Sequence, residues 1–293
     1  MKALRFKISV LPVLFILLLI CNTGADAKSY NVYKNISYSN DSNSYFKKLD
    51  IYTPADTGVH PVLVFIHGGG WMTGDKKFIS EKPVYFAERG FVFVSINYRL
   101  APLVKYPDNV KDAAEAVAWV ARNIVNYGGD TAGLYLMGHS AGAHLSALIS
   151  LDDKYLSGMG QSSALIKAVV LIEGAGYDIP LITREDKAVY DKFFKIPFGS
   201  DRSIWQAASP INHIRKNDGA PPYLVIYIEK RRLSNMESNL FVKRLRESGI
   251  SADTMAVRGK THFSINRSIG REGDAVTARI IEFLSAAGAR IKR

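Results

Sequence analysis

The sequence predicts an α/β fold in which a mostly parallel central sheet carries helices on both faces. Three observations predict it: short apolar runs alternate with helical patterns, those runs are apolar throughout, and two of them end in glycine-rich turns. Strands that are apolar throughout are typical of a sheet buried on both faces, and strands that alternate with helices assemble in parallel. Because 293 residues can bury one large core, we predict a single domain over residues 28–293, after a leader over residues 1–27.

The predicted core strands are short runs rich in β-branched and aromatic residues: Val62–Ile66, Phe91–Ile96, Leu134–Met137, Ala168–Ile172, Tyr223–Tyr227 and Thr254–Val257. Two earlier runs, Tyr30–Tyr38 and Tyr45–Tyr52, nearly alternate apolar and polar residues. They predict an antiparallel hairpin at one edge of the sheet.

Three helical patterns accompany these strands. The clearest covers Asn109–Asn126, where Asp108 can cap the start. A second covers Met236–Ser248 and stops at Gly249. The third begins near Asp274 and runs towards the end of the chain.

A Gly-His-Ser-Ala-Gly segment, residues 138–142, joins an apolar run to a helix-compatible run. A serine at a strand–turn–helix junction can sit on a sharp elbow at the carboxyl end of the strand. Because Gly138 and Gly142 lack a Cβ, neighbouring backbone can come close to the turn. The helix N-terminus and the Ala141 N–H are then placed to stabilise negative charge. The segment therefore predicts Ser140 as a nucleophile.

A second glycine-rich turn, His-Gly-Gly-Gly-Trp at residues 67–71, follows the strand that ends at Ile66. Consecutive glycines after a strand allow backbone N–H groups to turn inward, and an oxyanion on an attacked acyl group needs such fixed donors. Gly69, Gly70 and Ala141 are the predicted donors. The alternative is a flexible turn without this role, and the order of the two motifs along the chain disfavours it.

With both motifs present, the chain resembles the α/β-hydrolase fold, in the branch of esterases and lipases that carry a His-Gly-Gly-Gly loop. The stretches Tyr106–Val120 and Gly128–Leu145 look most like arylformamidases (kynurenine formamidases) and the bacterial carboxylesterases related to them. The resemblance covers nearly the whole chain after the leader. It implies serine-dependent acyl hydrolysis without a cofactor or a metal.

His262 is the predicted base. A serine hydroxyl needs a base, and in this fold the order along the chain is serine, acid, histidine. His262 follows the last predicted strand in a short Gly-Lys-Thr-His loop that resembles the family's histidine loop. The other histidines fit less well by their positions: His60, His67, His139, His144 and His213.

The catalytic acid is where the chain departs from its relatives. Many relatives have an aspartate after the strand Tyr223–Tyr227, but here Arg231 occupies that position. In the arylformamidase-like alignment the acid comes two residues earlier, which assigns the role to Glu229; a solvated pair with Lys230 or Arg231 is the alternative for this side chain. Asp178, after the preceding strand, is the second candidate, with a structural loop role as its alternative. If neither serves, a serine–histidine dyad remains, because loss of the acid lowers turnover by up to about 10⁴-fold without abolishing it.

Residues 177–210 lie between two core strands, where hydrolases of this type place insertions that cover the acyl pocket. This cap-like segment carries aromatic residues without a strand pattern: Tyr190, Phe193, Phe194, Phe198 and Trp205. The rings either pack the outer helices or form the pocket wall, and the sequence leaves both open. A pocket wall would favour an aromatic or medium-sized acyl substrate.

The N-terminal segment predicts a secretory signal peptide cleaved after Ala27, and hence a secreted or periplasmic protein. Three basic residues precede the apolar run Ile8–Ile20, and small residues surround the cleavage site. An uncleaved anchor is the alternative, but the run is interrupted by Pro12 and is shorter than the roughly twenty apolar residues that a membrane span needs. Cys21, the only cysteine, follows the bulky Ile20, which argues against lipid attachment.

The formal net charge of +11 does not by itself indicate a nucleic-acid partner. The basic residues are scattered, only Lys230–Arg232 cluster, and no nucleic-acid motif is present. The predicted partner is a small-molecule ester, without nucleic acid and without a stable membrane span after signal cleavage. The oligomeric state is left open.

The sequence therefore favours an esterase that cleaves small or medium acyl groups through an acyl-enzyme. Export disfavours arylformamidase chemistry, which belongs to cytosolic tryptophan catabolism, so that amide hydrolase is the first alternative. The second alternative is a hydrolase-fold binding protein with weakened catalysis, which the unusual segment at residues 228–231 permits.

Overall fold

The computed structural model describes residues 29–40, 44–216 and 219–291. The predicted signal peptide lies outside these described residues. Within the described residues the sheet has eight strands: β1 (Tyr30–Ser37), β2 (Lys48–Pro54), β3 (His60–Ile66), β4 (Val92–Ile96), β5 (Gly129–His139), β6 (Ile166–Ile172), β7 (Tyr223–Ile228) and β8 (Ala252–Val257).

The helices lie between and after these strands. They are α1 (Lys82–Ala87), α2 (Asp108–Asn123), α3 (Ala141–Leu151), α4 (Lys154–Ser157), α5 (Ile179–Glu185), α6 (Lys187–Phe193), α7 (Lys195–Phe198), α8 (Arg202–Ala208), α9 (Arg232–Glu247), α10 (His262–Arg267) and α11 (Ala275–Ile291). None of those in the described ranges is both long and apolar enough to cross a bilayer.

The sheet has the order β1-β2-β4-β3-β5-β6-β7-β8. Strand β2 is antiparallel to both β1 and β4, and every other neighbouring pair is parallel. The predicted mostly parallel sheet and the predicted hairpin at its edge are therefore confirmed. Because the strands from β3 to β8 run in one direction, their carboxyl ends meet along one edge of the sheet.

The core consists of two apolar layers, one on each face of the sheet. Strand β3 shows why its sequence is apolar throughout: Val62 and Val64 pack into one layer, while Leu63 and Phe65 pack into the other. Helices α2, α3 and α9 cover the first face, and α1, α10 and α11 cover the second. Both faces are thus buried, as the strand composition predicted.

Several element boundaries differ from the sequence prediction, and two of these differences have a clear physical reason. Strand β5 begins at Gly129, because residues 129–130 pair with the start of β3 before the register shifts. Helix α2 begins at Asp108 itself, and Pro107 precedes it without a side-chain cap. The Asp108 carboxylate instead accepts a hydrogen bond from Lys111 Nζ at 3.1 Å, so the predicted capping role is wrong.

Candidate active site

Ser140 lies on a sharp turn between β5 and α3. Its φ of +55° and ψ of −119° are values that an L-residue rarely adopts. The neighbouring strand holds the turn, because the Ser140 N–H donates to the carbonyl oxygen of Ile172 at 3.0 Å. The helix follows at once, since the Ala143 N–H donates to the Ser140 carbonyl oxygen at 3.0 Å. Ser140 is thereby fixed at the carboxyl edge of the sheet.

Close backbone contacts require the two glycines of this elbow. A Cβ on Gly138 would lie 2.2 Å from the carbonyl oxygen of Gly142. A Cβ on Gly142 would lie 2.0 Å from the carbonyl oxygen of Ile66. Both distances are far inside van der Waals contact, so the elbow packs directly against the end of β3, from which the glycine loop continues.

The glycine loop in turn lies against the nucleophile. A Cβ on Gly68 would lie 2.9 Å from the Cβ of Ser140. Gly69 and Gly70 have φ values of +126° and +60°, in the left-handed region that favours glycine. The sequence of the loop therefore permits both its shape and its approach to Ser140.

The predicted oxyanion donors remain available in this arrangement. The Gly69 carbonyl is turned into the loop, where it accepts from the Met72 and Thr73 N–H groups at 3.1 and 3.0 Å. Within residues 44–216, the Gly69 and Gly70 N–H groups donate to no protein acceptor. The Ala141 N–H opens α3 and so has no intrahelical acceptor.

His67 orders the loop. Its Nδ1 hydrogen-bonds to the Gly68 carbonyl oxygen at 2.7 Å, and its ring stacks on Tyr98 with centroids 4.5 Å apart. The Tyr98 hydroxyl donates to the His67 carbonyl oxygen at 3.1 Å. Burial lowers the pKa of His67 to about 4, so the ring is neutral at pH 7 and has a structural role.

Trp71 ties the loop to α3 and to the cap-like segment. Its indole Nε1 donates to His144 Nδ1 at 3.3 Å, and the other nitrogen of His144 donates to the Ala208 carbonyl oxygen at 2.7 Å. The Trp71 ring packs against Phe194 and Phe198, at centroid distances of 5.1 and 4.8 Å. Burial lowers the pKa of His144 to about 3, which keeps it a neutral link between these elements.

The remaining aromatic residues of the cap-like segment divide between the two open interpretations. Tyr190 and Trp205 pack against each other, with ring centroids 5.0 Å apart. Phe193 is 39% exposed, and its Cδ1 lies 3.7 Å from the position of a Cβ on Gly70. Most of these rings therefore pack the helices, while Phe193 reaches the glycine loop.

His262 is the first residue of α10. Thr261 caps this helix: its Oγ1 accepts from the Ser264 N–H at 3.1 Å, and the Ser264 Oγ accepts from the Thr261 N–H at 2.8 Å. From this fixed start the His262 Nε2 reaches the Ser140 Oγ at 3.0 Å. The structure brings the predicted nucleophile and the predicted base into hydrogen-bond contact.

Two buried side chains support the backbone of α10. His139 Nε2 donates to the His262 carbonyl oxygen at 2.9 Å, and burial lowers the pKa of His139 to about 3. Lys82 Nζ donates to the Asn266 carbonyl oxygen at 2.6 Å, in the last turn of the helix. Burial lowers the pKa of Lys82 to about 7.

The structure does not bring Glu229 to His262. The Glu229 carboxylate pairs with Arg258, whose Nη2 lies 2.8 Å from Oε1, and this partner lowers the pKa of Glu229. The Arg258 side chain is 80% exposed, so the contact is a solvated ion pair of the kind that contributes little to stability. Glu229 therefore has its alternative role, with a different arginine, and the geometry does not support it as the group that orients His262.

Asp178 is not brought to His262 either. Its Oδ1 accepts from the Leu181 N–H at 3.0 Å and so caps α5. This is the structural loop role that the sequence left open for it.

The carboxylate beside His262 belongs to Glu173, the residue directly after β6. Its Oε1 lies 3.8 Å from His262 Nδ1, and its side chain is fully buried. The other oxygen accepts from the Ile228 N–H at 2.6 Å. The sequence prediction missed Glu173, although an acidic residue directly after a buried strand, at the edge that carries Ser140, was the available signal.

Arg231 lies between these two side chains. Its Nη1 is 2.6 Å from Glu173 Oε1 and 2.6 Å from His262 Nδ1. The Arg231 side chain is 49% exposed, whereas Glu173 is fully buried. The arginine that replaces the expected aspartate therefore occupies the position beside Nδ1.

A second buried glutamate, Glu237 on α9, holds the loop that follows Glu173. Its two oxygens accept from the Gly176 and Asp178 N–H groups at 3.3 and 3.2 Å. Burial raises the pKa of Glu237 to about 8, so the carboxyl group is largely protonated at neutral pH.

Among the described residues, no group of three or more histidine, cysteine or acidic side chains could hold a metal ion.

Glu237 makes the stability of the fold depend on pH. The unfolded chain releases this proton near pH 4.5, whereas the folded chain holds it to about pH 8. The stability that the neutral carboxyl group contributes is therefore fully present below about pH 4.5 and is lost as the pH rises through about 8. We expect the melting temperature of the wild type to fall from pH 5 to pH 9 relative to that of Glu237→Gln, which cannot ionise. Thermal melts of both proteins across this range measure the difference, and parallel curves would contradict it.

Sequence comparisons identify the relatives of this chain. The BD-FAE family model matches residues 49–245. The chain is 34% identical over 211 residues to esterase LipC of Mycobacterium tuberculosis, covering 68% of this chain and 52% of that protein. It is 31% identical over 236 residues to isoprenylcysteine alpha-carbonyl methylesterase ICME of Arabidopsis thaliana, covering 73% and 53%. The chain thus spans about half the length of these curated relatives.

The fold is shared with solved esterases. Esterase B from Lactobacillus rhamnosis matches with a TM-score of 0.73 at 20% identity, over 90% of this chain and 87% of that one. The predicted resemblance to α/β-hydrolase esterases and lipases is confirmed. The finer likeness to arylformamidases stays a prediction.

Proposed function

This chain belongs to the BD-FAE family of α/β hydrolases, and from that premise we propose that it is a serine carboxylesterase acting on small or medium acyl groups. The observation that carries the proposal is the 3.0 Å contact between His262 Nε2 and Ser140 Oγ, made on a strained elbow. The glycine loop opposite the elbow adds free N–H donors. The names of the relatives, an esterase and a methylesterase, support the same reaction class.

The proposed reaction has two halves. Ser140 Oγ attacks the ester carbonyl carbon while its proton passes to His262 Nε2, and the carbonyl oxygen becomes negative between the N–H groups of Gly69, Gly70 and Ala141. Each such donor contributes about 3 to 4 kcal/mol to the transition state. The protonated histidine then gives its proton to the departing alcohol. Water repeats the sequence on the acyl-enzyme, so the carboxylic acid leaves and Ser140 regains its proton.

Two exposed rings support an ester with an apolar or aromatic part as substrate. Phe193 lies beside the glycine loop, and Phe263, next to His262 in the chain, is 73% exposed. Exposed phenyl rings that flank a reacting pair offer apolar surface to an acyl chain or to an aryl alcohol.

The test combines turnover with covalent labelling. Purified protein from Lys28 onward should hydrolyse p-nitrophenyl acetate, butyrate and octanoate, and a fluorophosphonate should add once, at Ser140, as mapped by peptide mass spectrometry. Hydrolysis that continues after complete labelling, or a label elsewhere, would contradict the serine mechanism.

One observation favours a second candidate, the weakly catalytic binding protein. Arg231 contacts His262 Nδ1 at 2.6 Å, on the side where a serine hydrolase needs an acceptor. Absence of both turnover and labelling would exclude the serine mechanism and leave this candidate in its place.

A further inference from the structure

The group that orients His262 is the one part of the serine mechanism that the predicted residues do not supply. Glu229 pairs with Arg258 and Asp178 caps α5. A histidine that takes the serine proton at Nε2 must carry its own proton on Nδ1, and that proton needs an acceptor.

Glu173 is placed to be that acceptor. Its side chain is fully buried, and its Oε1 lies 3.8 Å from His262 Nδ1, so about 1 Å of movement gives a charge-assisted hydrogen bond. Its other oxygen is fixed by the Ile228 N–H, and its own N–H donates to the Ile226 carbonyl oxygen at 2.6 Å. Its φ of +46° is unusual for a glutamate. Strain of this kind persists where the surroundings determine the backbone, and it clusters at functional sites.

Arg231 sets a competing arrangement at Nδ1. A guanidinium group carries only donors, so its 2.6 Å contact directs an N–H at the Nδ1 lone pair. The proton of a neutral His262 then sits on Nε2 and faces Ser140 Oγ, and this tautomer cannot accept the serine proton. Arg231 is about half exposed and can move into water, whereas the buried Glu173 cannot.

We propose that Glu173 is the positioning carboxylate of His262, and that Arg231 holds a resting state which it leaves when His262 acts as the base. The inference rests on the proposed serine mechanism. Once Arg231 withdraws, the Nδ1 proton is donated to Glu173 and Nε2 takes the proton of Ser140. The carboxylate then stabilises the imidazolium until the alcohol receives the proton. Between turnovers, Arg231 compensates the buried negative charge of Glu173.

The charged and titratable groups around His262 give the pH dependence its sign. They are Glu173 after β6, Arg231 after β7, neutral His139 at the end of β5, and Lys82 on α1, which binds the last turn of α10. Removal of the Glu173 carboxylate disfavours protonated His262 and moves the acid limb of the pH–rate profile to lower pH. Removal of the Arg231 cation moves that limb to higher pH.

The test measures kcat, KM and the pH profile of kcat/KM for p-nitrophenyl acetate with the purified full chain. Glu173→Gln should lower kcat by about 10³- to 10⁴-fold, with little change in KM and with the acid limb at lower pH. Glu173→Asp should recover part of the rate. Arg231→Met should retain or raise kcat and move the acid limb upward. The double variant Glu173→Gln/Arg231→Met should stay slow, because the carboxylate is still missing. Since this variant also lacks Arg231, its low rate cannot be attributed to an arginine left without its partner.

Glu237→Gln is the matched control, since it makes the same replacement at the other buried glutamate beside the same loop and should leave kcat unchanged. If Glu173→Gln alone does not fold in thermal melts, Glu173→Asp and the double variant carry the test. The proposal is overturned if the double variant turns over like the wild type, or if Arg231→Met loses as much rate as Glu173→Gln with the acid limb moved the same way. Fluorophosphonate labelling distinguishes a failure of this inference from a failure of the proposed serine mechanism. Normal turnover in the Glu173 variants with Ser140 still labelled refutes only this inference, whereas an unlabelled Ser140 refutes the serine mechanism itself.

Discussion

Replacement of His262 by alanine is expected to lower kcat for p-nitrophenyl acetate by about 10⁶-fold, as much as Ser140→Ala does, with no further loss in the double variant. The two side chains act as one unit, because the hydroxyl at 3.0 Å from Nε2 is a nucleophile only while the ring takes its proton. The remaining rate comes from the oxyanion donors and substrate binding, about 10³- to 10⁴-fold above the reaction in water. Steady-state and single-turnover kinetics on the three variants measure this.

The loss in His262→Ala is a loss of chemistry, because the fold keeps its other contacts. The capping box is made by Thr261 and Ser264, and His139 binds the backbone oxygen of His262, which alanine retains. His60→Gln is the control, since His60 begins β3 at the opposite edge of the sheet from Ser140 and pairs with Asp56. Additive losses in the Ser140 and His262 variants would contradict a single catalytic unit.

Much of the fold could be predicted because its strands are buried on both faces and so carry a continuous apolar signal. The start of β5 shows the limit of that signal. Gly129 and Asp130 join the strand by backbone pairing with His60 and Pro61, and no apolar side chain marks them. The Asp108 cap failed for a related reason, since the choice between capping and a contact with Lys111 depends on where the helix begins in three dimensions.

In the candidate site, too, residues that belong to a local motif could be predicted more readily than a residue that depends on tertiary packing. Ser140 and the glycine loop could be predicted because each motif is local, with shape and chemistry set by neighbouring residues in the chain. The carboxylate had only a weak signal, the position of Glu173 directly after a buried strand, because its contact with His262 depends on how the end of β6 packs against the start of α10. The arginine at position 231 showed in the sequence that the expected aspartate is missing. It did not show which strand is followed by the carboxylate that lies beside His262.

Gly142→Ala is expected to destabilise the protein by more than about 4 kcal/mol, the range reached when a buried site is severely overpacked. The new Cβ would lie 2.0 Å from the Ile66 carbonyl oxygen and 2.6 Å from that of His67. Both are backbone atoms at the end of a central strand, so no side chain can rotate away to relieve the clash. Relief requires α3 to separate from β3, and that movement also separates Ser140 from the glycine loop. Urea unfolding followed by tryptophan fluorescence measures the first effect, and kcat measures the second.

Gly160→Ala distinguishes this steric effect from backbone strain. Gly160 has a φ of +70° with nothing within 4 Å of a Cβ, whereas the φ of Gly142 is not positive. The Gly160 variant should therefore lose only the 1 to 2 kcal/mol or so that a left-handed conformation costs an L-residue, with kcat unchanged. If Gly142→Ala were the milder of the two, the elbow would not lie against β3 as closely as these contacts require. The oxyanion donors, which depend on the same approach, would then lose their assigned place beside Ser140.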